Sequence, residues 1–205
     1  LDIAKWARLV REPRDAVAPK DTSILFRDVE FAYQEERELL RNVQFHARPG
    51  EFVCVIGKSG TGKSTILDII CGFCAPDKGK VLLGDVAFTD LDWDTWRARL
   101  GLVRPEGVVV SGTWIENVAF LDDNPDHEKV ERLLESVGLQ QHVKKYPEGI
   151  QSFITARGGN LSAGQRQRIL MARVLYRDPE LILLDEPTSN LDVNTEHFIH
   201  ELLFS

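Results

Sequence analysis

Residues 57–65 combine glycines, lysines and hydroxyl side chains in an order that suits the binding of a nucleotide phosphate. The pattern G-x-x-x-x-G-K-[ST] is met by Gly57, Gly62, Lys63 and Ser64. Glycines let backbone N–H groups turn toward phosphate oxygens, and the N-terminus of a following helix adds partial positive charge. We expect Lys63 to contact the β- and γ-phosphates and the Ser64 hydroxyl to bind Mg²⁺. The residues predicted to bind nucleotide here are Gly57, Lys58, Ser59, Gly60, Thr61, Gly62, Lys63, Ser64 and Thr65.

A pair of carboxylates follows an apolar segment later in the sequence. Residues 181–184 read Leu-Ile-Leu-Leu and predict a buried parallel strand, and Asp185 and Glu186 come directly after it. Sheets of α/β proteins bind ligands at the carboxyl ends of their strands. We therefore expect Asp185 to hold Mg²⁺, directly or through water, and Glu186 to polarise the attacking water.

Periodicity predicts the elements that position these residues. Residues 24–33 alternate apolar and polar types and predict a half-exposed strand, while residues 80–88 predict a hairpin. Residues 51–56 are apolar and β-branched, so they predict a buried strand that leads into the phosphate loop. A strong helix is predicted over residues 163–177, directly after Ser162.

Composition restricts the function classes. The sequence has 205 residues and a net charge of −7, which argues against a broad nucleic-acid surface. No apolar stretch approaches the roughly 18 residues that a membrane-spanning helix needs. The histidines lack metal-like partners, so solvated or core roles are expected for His127, His142, His197 and His200.

Residues 161–165 read Leu-Ser-Ala-Gly-Gln and match the signature sequence LSGGQ except at Ala163. Together with the phosphate loop and the carboxylate pair, this sequence resembles the nucleotide-binding domain of an ATP-binding cassette (ABC) transporter. The implied fold is α/β, a P-loop NTPase with a RecA-like parallel sheet core, an antiparallel β subdomain and a small helical subdomain. Residues 111–118 are similar to a stretch of exporter-type members, and residues 169–173 resemble peptide and bacteriocin secretion systems.

The resemblance implies a site shared between two chains. Two such domains pair head to tail, and each ATP lies between the phosphate loop of one and the signature of the other. The implied cofactors are ATP and Mg²⁺. Tyr33 lies where the family has an aromatic residue that stacks on adenine, and an ordinary half-buried strand aromatic is the alternative. The residues implied to complete a partner's site, from the signature and the D-loop, are Leu161, Ser162, Ala163, Gly164, Gln165 and Asp192.

The resemblance also implies an ATP-hydrolysing motor that energises an ABC membrane exporter at the cytoplasmic face of the membrane. The implied partners are a second ABC ATPase domain, in a homo- or heterodimer, and the transmembrane domain of the transporter, with no nucleic acid. Two alternatives stay open. One is the low-turnover regulatory half of an asymmetric ABC pair, and the other is a soluble ABC ATPase that does not serve transport.

Residues 1–22 resemble the linker from a membrane domain, and residues 23–205 then form the ATPase domain, with a helical insert at residues 106–160. The family has a switch histidine farther beyond Glu186 than this sequence extends. We therefore expect a truncation at the C-terminus, a gap in the central sheet, and better binding than hydrolysis of nucleotide.

Two residues depart from the family pattern. Pro105 stands where the family has a glutamine, and proline has no side-chain amide to coordinate Mg²⁺ or orient water. We expect weakened Mg²⁺ coordination or coupling there, although Glu106 is a neighbouring carboxylate that could substitute. Ala163 replaces a glycine, and we expect its methyl group to be tolerated if its φ is negative.

Overall fold

A computed structural model describes residues 15–34, 37–155 and 158–186 of the chain. The chain divides into two compact units, Leu1–Leu100 and Gly101–Ser205. The strands are β1 (Ile24–Gln34), β2 (Arg37–Ala47), β3 (Lys78–Leu83), β4 (Val86–Ala87), β5 (Leu100–Val103), β6 (Gly112–Thr113), β7 (Phe153–Ile154) and β8 (Leu181–Leu184). The helices are α1 (Lys63–Ile70), α2 (Trp93–Ala98), α3 (Trp114–Val118), α4 (His127–Ser136), α5 (Gln140–Val143) and α6 (Ala163–Tyr176).

The first unit contains a four-stranded antiparallel sheet in the order β2-β1-β3-β4. Strand β1 lies between two neighbours, and its residue Phe26 faces Phe45 of β2 and Val81 of β3. The predicted alternation places the apolar side chains of Phe26, Val29 and Phe31 in the core. The predicted hairpin is also present, since β3 and β4 pair across the turn at residues 84–85. This sheet therefore has the arrangement of the antiparallel β subdomain that the family resemblance implied.

Helix α2 of the same unit supports the end of helix α1. The indole N–H of Trp96 donates to the Ile70 carbonyl at 2.8 Å, and the Arg97 Nε–H donates to the Cys71 carbonyl at 3.2 Å. These carbonyls lie at the C-terminal end of α1, where a helix has no acceptor partners of its own. Trp93 and Trp96 are both buried, so these tryptophans pack the unit.

The buried strand predicted over residues 51–56 is wrong. The structure has no strand there, and the apolar side chains are exposed, with Ile56 91% exposed. A strand requires a neighbour that completes its ladder of hydrogen bonds, and the described strands pair elsewhere. The Glu51 N–H instead donates to the Arg48 carbonyl at 3.0 Å, within a turn. The apolar, β-branched residues favour a strand, but this pattern does not specify which other strand would pair with it.

The second unit contains two short sheets, β5-β8 and β6-β7, and helices α3 to α6. Its core forms where α3, α4 and α6 meet, and its largest fully buried side chains are Trp114, Leu134, Leu139, Ile154, Ile169 and Met171. The predicted strand at residues 181–184 is present as β8, although only Leu183 in it is buried and its other three residues are half-buried. None of the helices within the described ranges has the length and apolarity of a membrane span.

A buried polar network joins helix α6 to the segment before α3. The Asn117 side chain is fully buried, accepts from the Val110 N–H at 2.9 Å and donates to the Val110 carbonyl at 3.0 Å. Arg173 of α6 donates to the Asn117 carbonyl at 2.7 Å and to the Val108 carbonyl at 2.9 Å. Because a buried polar group is costly unless it is paired, this network fixes the path of residues 108–110 against α6.

Candidate functional site

The phosphate loop turns into helix α1 through two glycines in left-handed conformations. Gly60 has a φ of 79° and Gly62 a φ of 92°, values that side-chain-bearing residues rarely adopt. Gly62 is the N-cap of α1 and supplies no side-chain hydrogen bond to the first turn. The first-turn N–H groups of a helix have no intrahelical acceptor, so they are suited to an anion at this position.

The side chain of Lys63 folds back over the loop. Its ammonium group donates to the Gly57 and Lys58 carbonyls, each at 3.1 Å. Thr61 closes the same turn, because its hydroxyl donates to the Lys58 carbonyl at 2.9 Å. A phosphate that binds Lys63 must therefore compete with two carbonyl oxygens for the ammonium group. Ser64, the predicted Mg²⁺ ligand, is exposed at the second residue of α1.

Tyr33 lies against the helix that carries the loop lysine. Its hydroxyl lies 3.3 Å from Thr65 Oγ1 and donates to Asp68 Oδ2 at 3.3 Å. Burial is the main cause that raises the pKa of Tyr33, and the hydrogen bond with Thr65 acts against it. Tyr33 is 54% exposed, so its ring keeps a solvent-facing surface while its hydroxyl is held. Asp68 was not predicted, since only the fold brings it to Tyr33.

The signature residues form the start of helix α6. Ser162 is the N-cap, and its hydroxyl accepts from the Gln165 N–H at 3.1 Å. The Gln165 side-chain oxygen accepts from the Ser162 N–H at 2.8 Å, which completes a capping box. Ala163 is exposed in the first turn of the helix, so its φ is helical and the backbone accepts its methyl group. Leu161 is buried, and its carbonyl accepts from Arg166 at 2.8 Å.

His142 contacts the signature, which the sequence did not predict. Its Nδ1 lies 3.1 Å from Nε2 of Gln165, and its ring packs on Trp114 and Tyr146. The sequence placed His142 only in a solvated or core role. No local pattern could have identified the contact, because His142 and Gln165 belong to different helices.

The two carboxylates at the end of β8 differ in environment. Asp185 is 8% exposed, and its N–H donates to the Val103 carbonyl at 3.0 Å. Glu186 is exposed and has a φ of 45°, in the left-handed region that is unfavourable for a residue with a side chain. Such backbone strain is common where a side chain must take one particular direction.

Pro105 occupies a tight turn after β5. The Gly107 N–H donates to the Arg104 carbonyl at 3.1 Å, which places Pro105 at the second position of the turn. Proline is favoured at that position because its fixed φ matches the turn. Pro105 and Glu106 are both exposed.

The candidate residues divide between the two units. Tyr33 and residues 57–65 belong to the first unit, and the signature and the carboxylate pair belong to the second. The structure brings Tyr33 to Thr65 in the first unit and Ser162 to Gln165 in the second. Asp192 lies outside the described residues. Within the described ranges, no three His, Cys, Asp or Glu side chains gather as a metal-binding group.

Comparisons with known proteins agree on one family. Residues 40–189 match the family model described as "ABC transporter". The "Probable multidrug resistance ABC transporter ATP-binding/permease protein YheH" of Bacillus subtilis is 38% identical over 178 residues, which are 87% of this chain and 26% of that protein. The "Alpha-hemolysin translocation ATP-binding protein HlyB" of Proteus vulgaris is 35% identical over 179 residues, which are 86% of this chain and 25% of that protein.

A solved structure of a bacterial Atm1-family ABC exporter with ATP bound is also similar. It matches with a TM-score of 0.87 and 29% sequence identity, over 96% of this chain and 35% of that chain. This chain therefore spans only about a quarter to a third of the proteins it matches. The P-loop NTPase fold class predicted from the sequence is confirmed by these matches.

Two glycine substitutions test the geometry of the loop. A Cβ at Gly62 would lie 2.5 Å from Leu40 Cδ2, whereas a Cβ at Gly60 would meet no atom within 4 Å. Both positions have positive φ, so each Gly→Ala change costs about 1 kcal/mol through the backbone. Gly62→Ala must in addition displace Leu40, which costs about 1–3 kcal/mol more. Urea unfolding of the two variants measures this difference, and equal free energies of unfolding would contradict it.

Proposed function

We propose, since the chain belongs to the ABC transporter family, that it is the ATP-hydrolysing motor domain of a membrane exporter. The observation that carries this proposal is the phosphate loop, in which left-handed glycines lead into α1 and Lys63 covers the turn. The names of the similar proteins support an exporter: one is a multidrug resistance ABC transporter ATP-binding/permease protein, one an alpha-hemolysin translocation ATP-binding protein, and the solved structure an Atm1-family ABC exporter. Their cargoes differ, and the transported substrate is not assigned to this chain.

Residues of the first unit bind ATP in this proposal. Lys63 exchanges its two carbonyl acceptors for phosphate oxygens, and the loop N–H groups from Gly57 to Thr65 donate to the remaining oxygens. Tyr33 stacks its exposed ring on adenine, and its hydroxyl stays fixed by Thr65 and Asp68. The hydroxyl anchors hold the ring in place before the base arrives, which reduces the entropy lost on binding.

Oxygen atoms of Ser64 and Asp185 hold Mg²⁺ in this proposal. A hydroxyl and a carboxylate suit this ion, because Mg²⁺ takes hard oxygen ligands and retains several waters. When bound, the ion neutralises negative charge on the phosphates. Glu186 accepts a proton from, or orients, the water that attacks the γ-phosphate, and its left-handed backbone directs the exposed carboxylate.

The signature completes the site of a second ABC ATPase domain in this proposal. The capping box holds the Ser162 and Gln165 backbone N–H groups, while Ala163 and Gly164 lie in the first turn of α6. First-turn N–H groups and the partial positive charge of the helix suit a γ-phosphate from the partner domain. Leu161 anchors this turn in the core, and Asp192 of the D-loop lies beyond the described residues.

We place this motor on the cytoplasmic face of a membrane, in contact with the transmembrane domain of its transporter. The YheH protein of Bacillus subtilis supports this placement, because its name describes it as an ATP-binding/permease protein. Residues 1–22 are proposed as the linker to that membrane domain, residues 23–205 as the ATPase domain and residues 106–160 as its helical insert. A low-turnover regulatory half of an asymmetric pair is the second candidate, and the exposed Pro105 favours it.

Replacement of Lys63 tests nucleotide binding. Lys63→Ala is expected to weaken ATP affinity roughly 10- to 100-fold, the effect of losing a charged hydrogen bond of about 1.5–3 kcal/mol. Lys80→Ala removes an exposed lysine of the same unit and serves as the matched control. Isothermal titration calorimetry with ATP measures both, and equal affinities would overturn the assignment of Lys63.

Replacement of Glu186 separates the motor from the regulatory candidate. Glu186→Gln is expected to lower ATP hydrolysis at least about 100-fold with ATP affinity retained, because general base catalysis contributes about that much. Glu131→Gln changes an exposed carboxylate of α4 and should leave phosphate release unchanged. If the unsubstituted protein already hydrolyses ATP as slowly as Glu186→Gln, the regulatory candidate is correct.

Replacement of Pro105 tests whether the lack of a side-chain amide at this position lowers ATP turnover. Pro105→Gln is expected to raise Mg²⁺-dependent ATP turnover on the order of 10-fold, which corresponds to about 1.4 kcal/mol of barrier. Pro105→Ala relaxes the same exposed turn without an amide and should not raise turnover. Phosphate release is followed across a Mg²⁺ titration, and no gain in Pro105→Gln would refute the role given to this position.

A further inference from the structure

The side chain of Gln165 connects the signature to a histidine in a neighbouring helix. Its oxygen accepts from the Ser162 N–H at 2.8 Å, so its amide nitrogen is the atom that points to His142. The amide nitrogen carries only donors, and therefore His142 Nδ1 is the acceptor of this 3.1 Å contact. The neutral ring must then carry its proton on Nε2.

We propose that His142 is a positioning residue for the signature: its neutral imidazole holds Gln165 in the orientation that caps helix α6. The cap depends on this orientation, because rotation of the amide would turn a donor toward the Ser162 N–H. This inference rests on the proposed function, in which the start of α6 completes the nucleotide site of a second domain. His142 itself does not touch nucleotide in this proposal.

Three elements enclose the imidazole. Trp114 of α3 packs on it at a centroid distance of 5.7 Å, Tyr146 follows α5 and packs at 5.8 Å, and Gln165 approaches from α6. Tyr146 is the titratable group among them, and Lys145 is the charge that acts on the ring. Nε2, which carries the proton of the neutral ring, is buried and has no hydrogen-bond partner among the described residues. A second proton would add a charge inside this enclosure of aromatic rings, and burial of an uncompensated charge is unfavourable, so the neutral ring is favoured.

Protonation of His142 would break the contact with Gln165. The imidazolium carries a donor on Nδ1, which would face the donor on Gln165 Nε2. Burial lowers the pKa of His142, and the charge of Lys145 acts in the same direction. The neutral ring is therefore present above the ordinary histidine pKa, and the acceptor is lost as pH falls through the lowered value. The signature cap should weaken only in acid.

Two substitutions separate the hydrogen bond from the ring packing. His142→Phe keeps a ring against Trp114 and Tyr146 but has no acceptor. His142→Asn loses the ring but places a side-chain oxygen near the position of Nδ1, and this oxygen does not titrate. If the hydrogen bond holds Gln165, His142→Phe should weaken the cap of α6 and His142→Asn should preserve it. If only the ring packing matters, His142→Phe should preserve the cap and His142→Asn should weaken it. Circular dichroism establishes that both variants are folded.

The first measurement does not depend on nucleotide. Long-range ¹H–¹⁵N NMR of His142 should show Nε2 protonated and Nδ1 bare near neutral pH. The Ser162 backbone amide signal should shift in acid with the same midpoint as His142, and this shift should be absent in His142→Asn. A proton on Nδ1 near neutrality, or a Ser162 signal that does not follow His142, would overturn the proposal.

The second measurement is ATP-driven pairing in a Glu186→Gln background, followed by light scattering at about pH 8, above the ordinary histidine pKa, and at a lower pH chosen below the His142 midpoint that the NMR titration gives. At the higher pH, His142→Phe should need about 5-fold more ATP for half-maximal pairing, the effect of one neutral hydrogen bond. His142→Asn should need the same ATP concentration as the parent at the higher pH, and its requirement should not change at the lower pH. The parent at the lower pH should need as much ATP as His142→Phe.

The outcomes distinguish this inference from the proposed function. ATP-driven pairing that is equal in all three proteins at both pH values would overturn the positioning role while leaving the motor function intact. No ATP-driven pairing in any of them would overturn the proposed function, and the positioning role with it, whatever NMR shows of the hydrogen bond. A defect in His142→Asn with normal His142→Phe would assign His142 to packing alone.

Discussion

Every helix begins with N–H groups that it cannot satisfy by itself, and this constraint governs both candidate phosphate contacts of the chain. Helix α1 begins at Gly62, which offers no side-chain acceptor, and its first turn follows a loop of left-handed glycines. Helix α6 begins at Ser162, where a capping box with Gln165 satisfies two backbone N–H groups. The first turn of α1 therefore leaves its N–H groups available to an anion, whereas two backbone N–H groups at the start of α6 are already satisfied by side chains of the chain itself.

Much of this arrangement could be predicted, because the relevant signals are local. The phosphate loop, the ABC transporter family and the P-loop NTPase class followed from short motifs, and the comparisons confirm the family and the class. The alternation of residues 24–33 correctly predicted β1, and the helix after Ser162 ends within one residue of its predicted end. Caps, turns and side-chain periodicity depend on neighbours in sequence, which explains this success.

The errors and omissions have a different physical origin. The strand predicted over residues 51–56 requires a ladder partner from elsewhere in the chain, and an apolar pattern carries no information about that partner. The contacts of Tyr33 with Asp68 and of His142 with Gln165 join residues 35 and 23 positions apart. Such contacts exist only after packing.

The two departures from the family pattern lie where the backbone accepts them. Ala163 is exposed in a helical turn that favours alanine, and Pro105 is exposed at the turn position that favours proline. Neither residue therefore requires a compensating change in the core. The chemical differences that remain are an added methyl group at Ala163 and the absence of a side-chain amide at Pro105. The buried network of Asn117 and Arg173 holds residues 108–110 close by, so a change at Pro105 can alter the chemistry while the path of the chain stays fixed.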